Sequence, residues 1–386
     1  GNTFDNIIGK ATFQNISYTN QFNQFNFKQF SVVSSVKENI KKIALESEDI
    51  ANGYLSGNFY FSELFSLAQN SLGDVYTNYK PYSVEPNQFL DFNFTIYNQI
   101  VSVFFSDISI DDNTKIKGKI KTDKNHLRLK VSSPKIDIYG NEITDLLLRT
   151  DTQNPLYNSH LTASKVQTKY YNVSKFNLLS LYQNDTLYFK SIFTGGAKKN
   201  EDFNLDFFYT FNSAGKSVVG FEKSSFKFKD NVWNIYPDEL TPNKVVFDLK
   251  ENEFNFSKFK LVSGEQKVEF LGSFNTDTNK DLLIDFTKVK LQSFLPTIDS
   301  LALKGSLSGT INLIQRKGIY NPKALLTINN FDVNDFNQGD LSLSLEGDNS
   351  YDKYTVDLSI NNRKVKSISA TGFMDFSDKR PLIDLE

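Results

Sequence analysis

The residues able to do chemistry are few and poorly placed for it. The 386-residue chain has only two histidines, His126 and His160, in separate segments, and no cysteine. Thiolate zinc sites, a Cys nucleophile and disulfide stapling are therefore excluded, and neither imidazole has a second soft ligand beside it. The lack of cysteine leaves the redox compartment open, because an oxidising space permits disulfides without requiring them. Asp277, Asn279 and Asp281 have the spacing of the first half of a calcium loop, but Leu282 stands where that loop needs Gly and Lys288 where it needs Glu. That run, like Asp111-Asp112-Asn113, reads as an Asx-type turn. Gly53 to Gly57 and Gly305 to Gly309 carry Leu55 and Leu307 at the centre, so neither is a nucleophile elbow. No GxxxxGK[ST] or GxGxxG phosphate cradle occurs, and Gly195-Gly196 followed by Ala197-Lys198-Lys199 reads as a hairpin turn. The 45 acidic residues make accidental pairs, none in a distinctive motif. A non-enzyme without cofactor or metal is expected.

The charge balance narrows the partners. With 43 Lys and Arg against 45 Asp and Glu, the net charge of -2 argues against a basic nucleic-acid binder or a polybasic membrane-surface patch. Interleaving such as Phe226-Lys227-Phe228-Lys229 could stack single-stranded bases, but on a strand it is simply two faces. No nucleic-acid partner is expected. Asn93-Phe94-Thr95 and Asn255-Phe256-Ser257 are sequons that an Asn-rich chain produces by chance. Aromatic residues are plentiful, 36 Phe and 18 Tyr against one Trp, yet no apolar run exceeds three residues. A membrane-crossing helix needs roughly 20, and a signal peptide needs a continuous apolar core, so neither is present. The chain opens on Gly1 and closes on Leu385-Glu386. It is expected to be a soluble fragment of a larger protein whose export and anchoring signals lie elsewhere.

The elements that must position these residues are strands. Apolar and polar residues alternate at Phe92, Phe94, Ile96; Leu127, Leu129, Val131; Val245, Phe247, Leu249; and Leu282, Ile284, Phe286. The same phase marks Leu341, Leu343, Leu345 and Val356, Leu358, Ile360. Turn clusters such as Asp123-Lys124-Asn125, Asp230-Asn231, Glu251-Asn252, Asp277 to Lys280 and Gly347 to Ser350 recur about every 10 to 14 residues. Helical spacing is rare: Leu64, Phe65, Leu67, Ala68, Leu72, Val75 and Tyr76, stopped near Pro81; Ile143 to Arg149 more weakly; and Ser293 to Leu301 around a Pro296 turn. Alternation alone admits two architectures, a pair of sheets packed as a sandwich or one curved sheet whose apolar face lines a groove.

Internal repetition favours the second. Gly53-Tyr54-Leu55-Ser56-Gly57-Asn58-Phe59-Tyr60-Phe61 matches Gly305-Ser306-Leu307-Ser308-Gly309-Thr310-Ile311-Asn312-Leu313, with a looser echo at Ile116 to Ile120. Glycine also returns at one phase in Val268, Phe270, Gly272, Phe274 and in Ile368, Ala370, Gly372, Met374. Glycine weakens a strand, so its return marks a bend or a close backbone approach. Strand-rich repeats with bends describe a sheet that keeps extending and curling.

From residue 232 to 373 the order of segments carries a family resemblance. It runs Val232-Trp233-Asn234-Ile235, Phe254-Asn255-Phe256-Ser257, Gln266 to Gly272, Leu282 to Phe286, Leu291-Gln292-Ser293-Phe294-Leu295-Pro296 and Leu307 to Ile311. Asn321-Pro322, Ile328 to Val333 and Ile368 to Phe373 follow. This succession resembles the repeating body of the TamB family, the translocation and assembly module proteins of the AsmA-like superfamily. Ile43 to Phe61 with Phe65 to Pro81 looks like an earlier round of the same repeat, so the likeness covers about two thirds of the chain. The resemblance implies a β-taco, a long antiparallel sheet folded around a hydrophobic trough, continuous over 1–386 with rough units 1–88, 89–225 and 226–386. It implies a middle or late-middle segment of a protein anchored in the inner membrane and spanning the periplasm of a diderm bacterium. Such a parent partners a BamA-like (TamA-type) outer-membrane barrel through parts outside this fragment, and serves outer-membrane biogenesis and phospholipid transport between the membranes.

On this reading phospholipid acyl chains are the partner, and the groove is lined by the apolar-phase residues Phe254, Phe256, Leu282, Ile284, Phe286, Leu307, Ile311, Leu313, Leu341, Leu343, Leu345, Val356, Leu358 and Ile360. Their polar neighbours, such as Asp285, Ser342 and Asp357, face outward. The competing functions are a non-lipid scaffold or chaperone for outer-membrane protein assembly, using exposed strand edges, and a secreted β-sandwich adhesin. Shape separates these at the level of the sequence. About 12 residues per strand and turn gives ~30 strands, which at ~4.8 Å spacing make a rod of about 100–140 Å. Small-angle scattering should return a radius of gyration of roughly 30–40 Å for that rod, against about 21 Å for one compact domain of this length. A value near the smaller figure would remove the groove architecture.

Overall fold

The computed structural model describes Asp5 and residues 7–20, 23–73, 79–124, 126–196, 200–238, 240–275, 278–293, 301–347, 349, 352–362, 365–378, 380 and 382–386. Asn125, Asp277, the Ala197-Lys198-Lys199 stretch, the Val75-Tyr76 end of the expected helix and the Pro296 turn lie outside these residues. The chain is all-β: among the described residues 27 strands belong to one antiparallel sheet rather than to the pair of sheets that a sandwich requires. The strands fall into two compact units, residues 1–204 and 205–386.

Unit 1 holds β1 (Gly9–Thr19), β2 (Gln24–Lys37), β3 (Ile40–Ser47), β4 (Ala51–Asn58), α1 (Leu64–Gly73), β5 (Phe89–Ile96), α2 (Asn98–Phe104), β6 (Ile108–Ile110), β7 (Thr114–Lys121) and β8 (His126–Ile138). It continues through β9 (Asn141–Asp151), β10 (Ser159–Gln167), β11 (Asn172–Gln183) and β12 (Thr186–Gly195). Each strand ladders onto the one before it, except that β5 pairs with β7 while the short β6 lies against β8. Tight turns make this possible. Glu38-Asn39 and Asn184-Asp185 both take positive φ at two successive residues, the backbone of the two-residue hairpin whose twist matches its strands.

Unit 2 holds most of β13 (Glu201–Phe211), then β14 (Ser217–Phe221), β15 (Ser224–Phe228), β16 (Asn231–Ile235), β17 (Lys244–Asp248), β18 (Glu253–Ser263), β19 (Gln266–Asn275) and β20 (Asn279–Lys290). After them come β21 (Leu303–Arg316), β22 (Ile319–Tyr320), β23 (Lys323–Val333), β24 (Phe336–Gly347), β25 (Lys353–Asn362), β26 (Val365–Asp375) and β27 (Leu382–Leu385). From β18 onward the ladder is a meander in chain order, with β22 a short flap on β21. Before it, β18 is shared: its first half pairs with β17 and its second with β16.

The helices depart from the sequence reading in two instructive ways. Leu64, Leu67 and Ala68 do form α1, and Leu67 is its buried anchor. Ile143 to Arg149, expected as a weak helix, lies instead inside β9, where Leu148 pairs with Val131 on one side and Leu161 on the other. Three successive leucines satisfy either period, and two waiting strand partners decide the matter. The helix α2 has no helical signature in its β-branched sequence. The Asp112 carboxylate, from the loop beyond β6, accepts the N–H of its first residue Asn98 at 2.9 Å, and Asn98 Oδ1 accepts the N–H of Ile110 at 2.9 Å. A cap supplied 14 residues downstream is invisible to local periodicity.

The repeated glycines are close approaches. At Gly57 (φ +157°) and Gly309 (φ +128°), a side chain's first carbon would stand 2.0 Å from the Phe89 carbonyl oxygen and 2.1 Å from that of Leu325. Only glycine tolerates both the backbone conformation and the neighbouring strand. Gly309→Ala should therefore cost roughly 3 kcal/mol by urea unfolding, whereas Gly264→Ala, in a turn with open space around it, should cost about 1 kcal/mol.

Candidate functional site

Antiparallel partners point to the same face, so the cross-strand register decides whether the sequence-selected apolar residues meet. They do. Leu282 pairs with Gly272 and Leu313, and Gly272 pairs in turn with Phe256. Ile284 pairs with Ile311, which leads through Ala324 and Leu345 to Val356. Phe286 leads through Gly309 and Leu326 to Leu343 and Leu358, and Leu307 through Ile328 to Leu341 and Ile360. Phe254, two residues from Phe256, stacks on Phe247 with ring centroids 5.8 Å apart. All fourteen residues thus share one face of unit 2, in rows running across neighbouring strands. Val356 and Leu341 are buried, and the other twelve are half-buried.

Bulges keep these rows in phase where the sequence does not. Lys288 takes φ +49° at a register shift, so Phe286 and Val289, three residues apart, face the same way. Asn330 (φ +50°) does the same for Ile328 and Phe331. Val289, fully buried, is a member of the face that a strict period of two misses. Phe270 belongs to the same face, as the alternation Val268, Phe270, Gly272 signals: it pairs with Ile284, and its ring stacks on Phe259 at 4.8 Å.

One flank of the face is sealed. Trp233, 1% exposed, packs with Val268 and Val289 against Ile284, Phe286 and Leu307. The buried Gln266 fixes that corner: its Nε2 donates to Asn231 Oδ1 at 3.0 Å, and its Oε1 accepts the N–H of Lys290 at 2.9 Å. Unit 1 has a comparable apolar face and seal, absent from the sequence-selected residues although its alternation was equally plain. Leu55 pairs with Phe92, and that row continues through Gly118 to Leu129. There α1 inserts Leu67 among Phe59, Leu90, Ile120 and Leu127. Gln88 is the matching staple, accepting the Tyr60 N–H at 2.9 Å and donating to Glu63 at 2.6 Å.

Away from these flanks the face stays partly open: Leu326, Leu343, Leu345 and Leu358 are half-buried. The main contacts of β23, β24 and β25 are with their own ladder neighbours. The chain exposes 23915 Å² for its 44.1 kDa, whereas even two separate globules of half that mass would expose only about 18,700 Å² together.

The opposite face is polar. Asp285 pairs with Glu269 and Thr310, Ser342 with Ser359, and Asp357 with Ser344. Glu269 is gripped by Lys258 at 3.2 Å and Lys267 at 3.0 Å. Among the described residues no group of three or more His, Asp or Glu could hold a metal ion. His126 stands 3.0 Å from Asp151, while His160 lies on a different strand against the Tyr157 ring. Compared with protein-family models, curated proteins and solved structures, the chain matches none.

The Glu269 cluster sets a pH dependence. Burial pushes its carboxyl up, but hydrogen bonds and charge from Lys267 and Lys258 outweigh this and hold it below the usual range. A carboxyl lowered in the folded state stabilises fully above its unfolded pKa, and that contribution disappears as pH falls through the folded value. Urea midpoints should therefore fall more steeply from about pH 5 to pH 3 in the native chain than in Glu269→Gln.

Proposed function

We propose that this chain shelters lipid acyl chains on the apolar face of its sheet, as a segment of a TamB-like, periplasm-spanning protein of outer-membrane biogenesis. The observation that supports this reading is the gathering of fourteen apolar side chains on one face, twelve of them only half-buried. Each methylene transferred from water onto such a surface contributes ~0.8 kcal/mol, so half-covering a ten-methylene stretch would contribute about 4 kcal/mol. That is enough for occupancy and weak enough for exchange. The rows carry aliphatic and aromatic groups without convergent polar anchors, so no position along them is strongly preferred. Sliding along the rows then costs little, as movement of phospholipid between the inner and outer membranes requires. In this reading the parent protein is anchored in the inner membrane, and its BamA-like barrel partner meets parts other than this segment.

The test is lipid recovery. Mass spectrometry of an organic extract of the purified chain should return phospholipid. Leu343→Asp and Leu358→Asp, at paired positions on the half-covered part of the face, should abolish recovery while β-sheet circular dichroism persists. Ile284, which the sequence places with them, packs in the sealed flank against the Trp233 cluster. A charge there is buried unpaired, and Ile284→Asp should lower the urea midpoint instead. Equal lipid recovery from the native chain and both Asp variants would end the proposal.

A further inference from the structure

The polar face of unit 1 carries a feature that neither stability nor the apolar face explains. On β7 the residues Lys115, Lys117, Lys119 and Lys121 alternate with the apolar phase, so all four point to the polar side. Strand pairing places Arg128 and Lys130 of β8 and Arg149 of β9 beside them. Among the described residues two carboxylates answer these seven cations, and both are committed: Asp91 to Lys119 at 2.8 Å, and Asp151 to Arg128 at 2.9 Å. Of the five cations that remain, Lys117, Lys130 and Arg149 form one row. They stand directly opposite one another on three successive strands, and none has an ion-pair partner among the described residues. Like charges in direct cross-strand register oppose sheet pairing, and an anion seated among them would relieve that repulsion.

The shape agrees. These three side chains line a cleft of about 620 Å³ together with the Asp91–Lys119 and Asp151–Arg128 pairs, so five cations meet two carboxylates there, and Tyr54 on β4 and Tyr157 from the loop between β9 and β10 wall it. Guanidinium and ammonium donors converging in a concave site are the chemistry of phosphate recognition, with Arg149 able to offer two parallel N–H groups. We infer that this cleft binds a phosphate group, as a soluble phosphate ester or as the headgroup of an anionic phospholipid, through Lys117, Lys130 and Arg149. The site lies on the face opposite the apolar rows, so it stands whether or not acyl chains occupy those rows.

Two ligand arms distinguish the sources. In low salt, calorimetric titration with glycerol 3-phosphate tests the free ester. Sedimentation with phosphatidylglycerol vesicles, against phosphatidylcholine vesicles, tests the headgroup. Binding in either arm, weakened at least about tenfold in the triple variant Lys117→Gln/Lys130→Gln/Arg149→Gln, supports the site; binding to vesicles alone assigns it to the headgroup. A control with the same loss of charge at the exposed Lys10, Lys37 and Lys317 should bind like the native chain. No binding in both arms, or equal weakening by the control, overturns the inference. A second readout separates a ligand site from a structural role: without ligand the triple Gln variant should melt at or above the native temperature, because repulsion is relieved. Melting well below it, or failure to fold, would show that the cations hold the sheet together and would overturn the site.

Discussion

Everything in this molecule depends on antiparallel register. In a sheet whose side chains alternate between faces, a slip of one residue transfers a strand's apolar set to the polar side. With Leu343 held between Leu326 and Leu358, and Leu345 between Ala324 and Val356, the apolar rows survive across β23, β24 and β25 only because each ladder keeps its phase. Where the chain carries an extra residue, it is absorbed locally. Lys288 and Asn330 adopt left-handed backbone at register shifts, and the rows on either side stay aligned. The glycines at which a neighbouring carbonyl presses within side-chain distance belong to the same bookkeeping of geometry.

The two faces answer to different physics. The apolar face is non-directional, and its energy depends on area, so aliphatic and aromatic residues substitute for one another along a row as long as phase is kept. The polar face is directional and local. Glu269 between two lysines is a satisfied cluster, whereas Lys117, Lys130 and Arg149 are an unsatisfied one of the same sheet chemistry. A net charge of -2 conceals this difference entirely. The balance argued against a basic patch because it counts the chain as a whole, while strand pairing sorts charges by face.

What was legible in the sequence follows from this. Strands such as β20, β24 and β25 announce themselves because one face is apolar and the period is two, and the common face of their residues follows once they pair in order. Val289 was hidden because a bulge breaks the period immediately before it. The helix α2 was hidden because its cap comes from Asp112, and β9 was misread because three leucines in a row carry no phase of their own. The half-covered state of the apolar face was legible in the repeated glycines and not in the alternation. Alternation records which side of a strand avoids water and says nothing about whether another sheet, a helix or a ligand covers it.

The turns carry one more consequence. Glu38-Asn39, Asn184-Asp185 and Asn334-Asp335 return the chain on itself within two residues, and most ladders join strands adjacent in sequence. Contacts of this kind are short-range along the chain, so each new strand finds its template already laid down as it leaves the ribosome, with little loop entropy to overcome. The same economy applies over evolutionary time. A duplicated hairpin with its phase intact adds two rungs and disturbs no distant contact, so descendants of such a chain can change length by whole hairpins while every existing row keeps its neighbours.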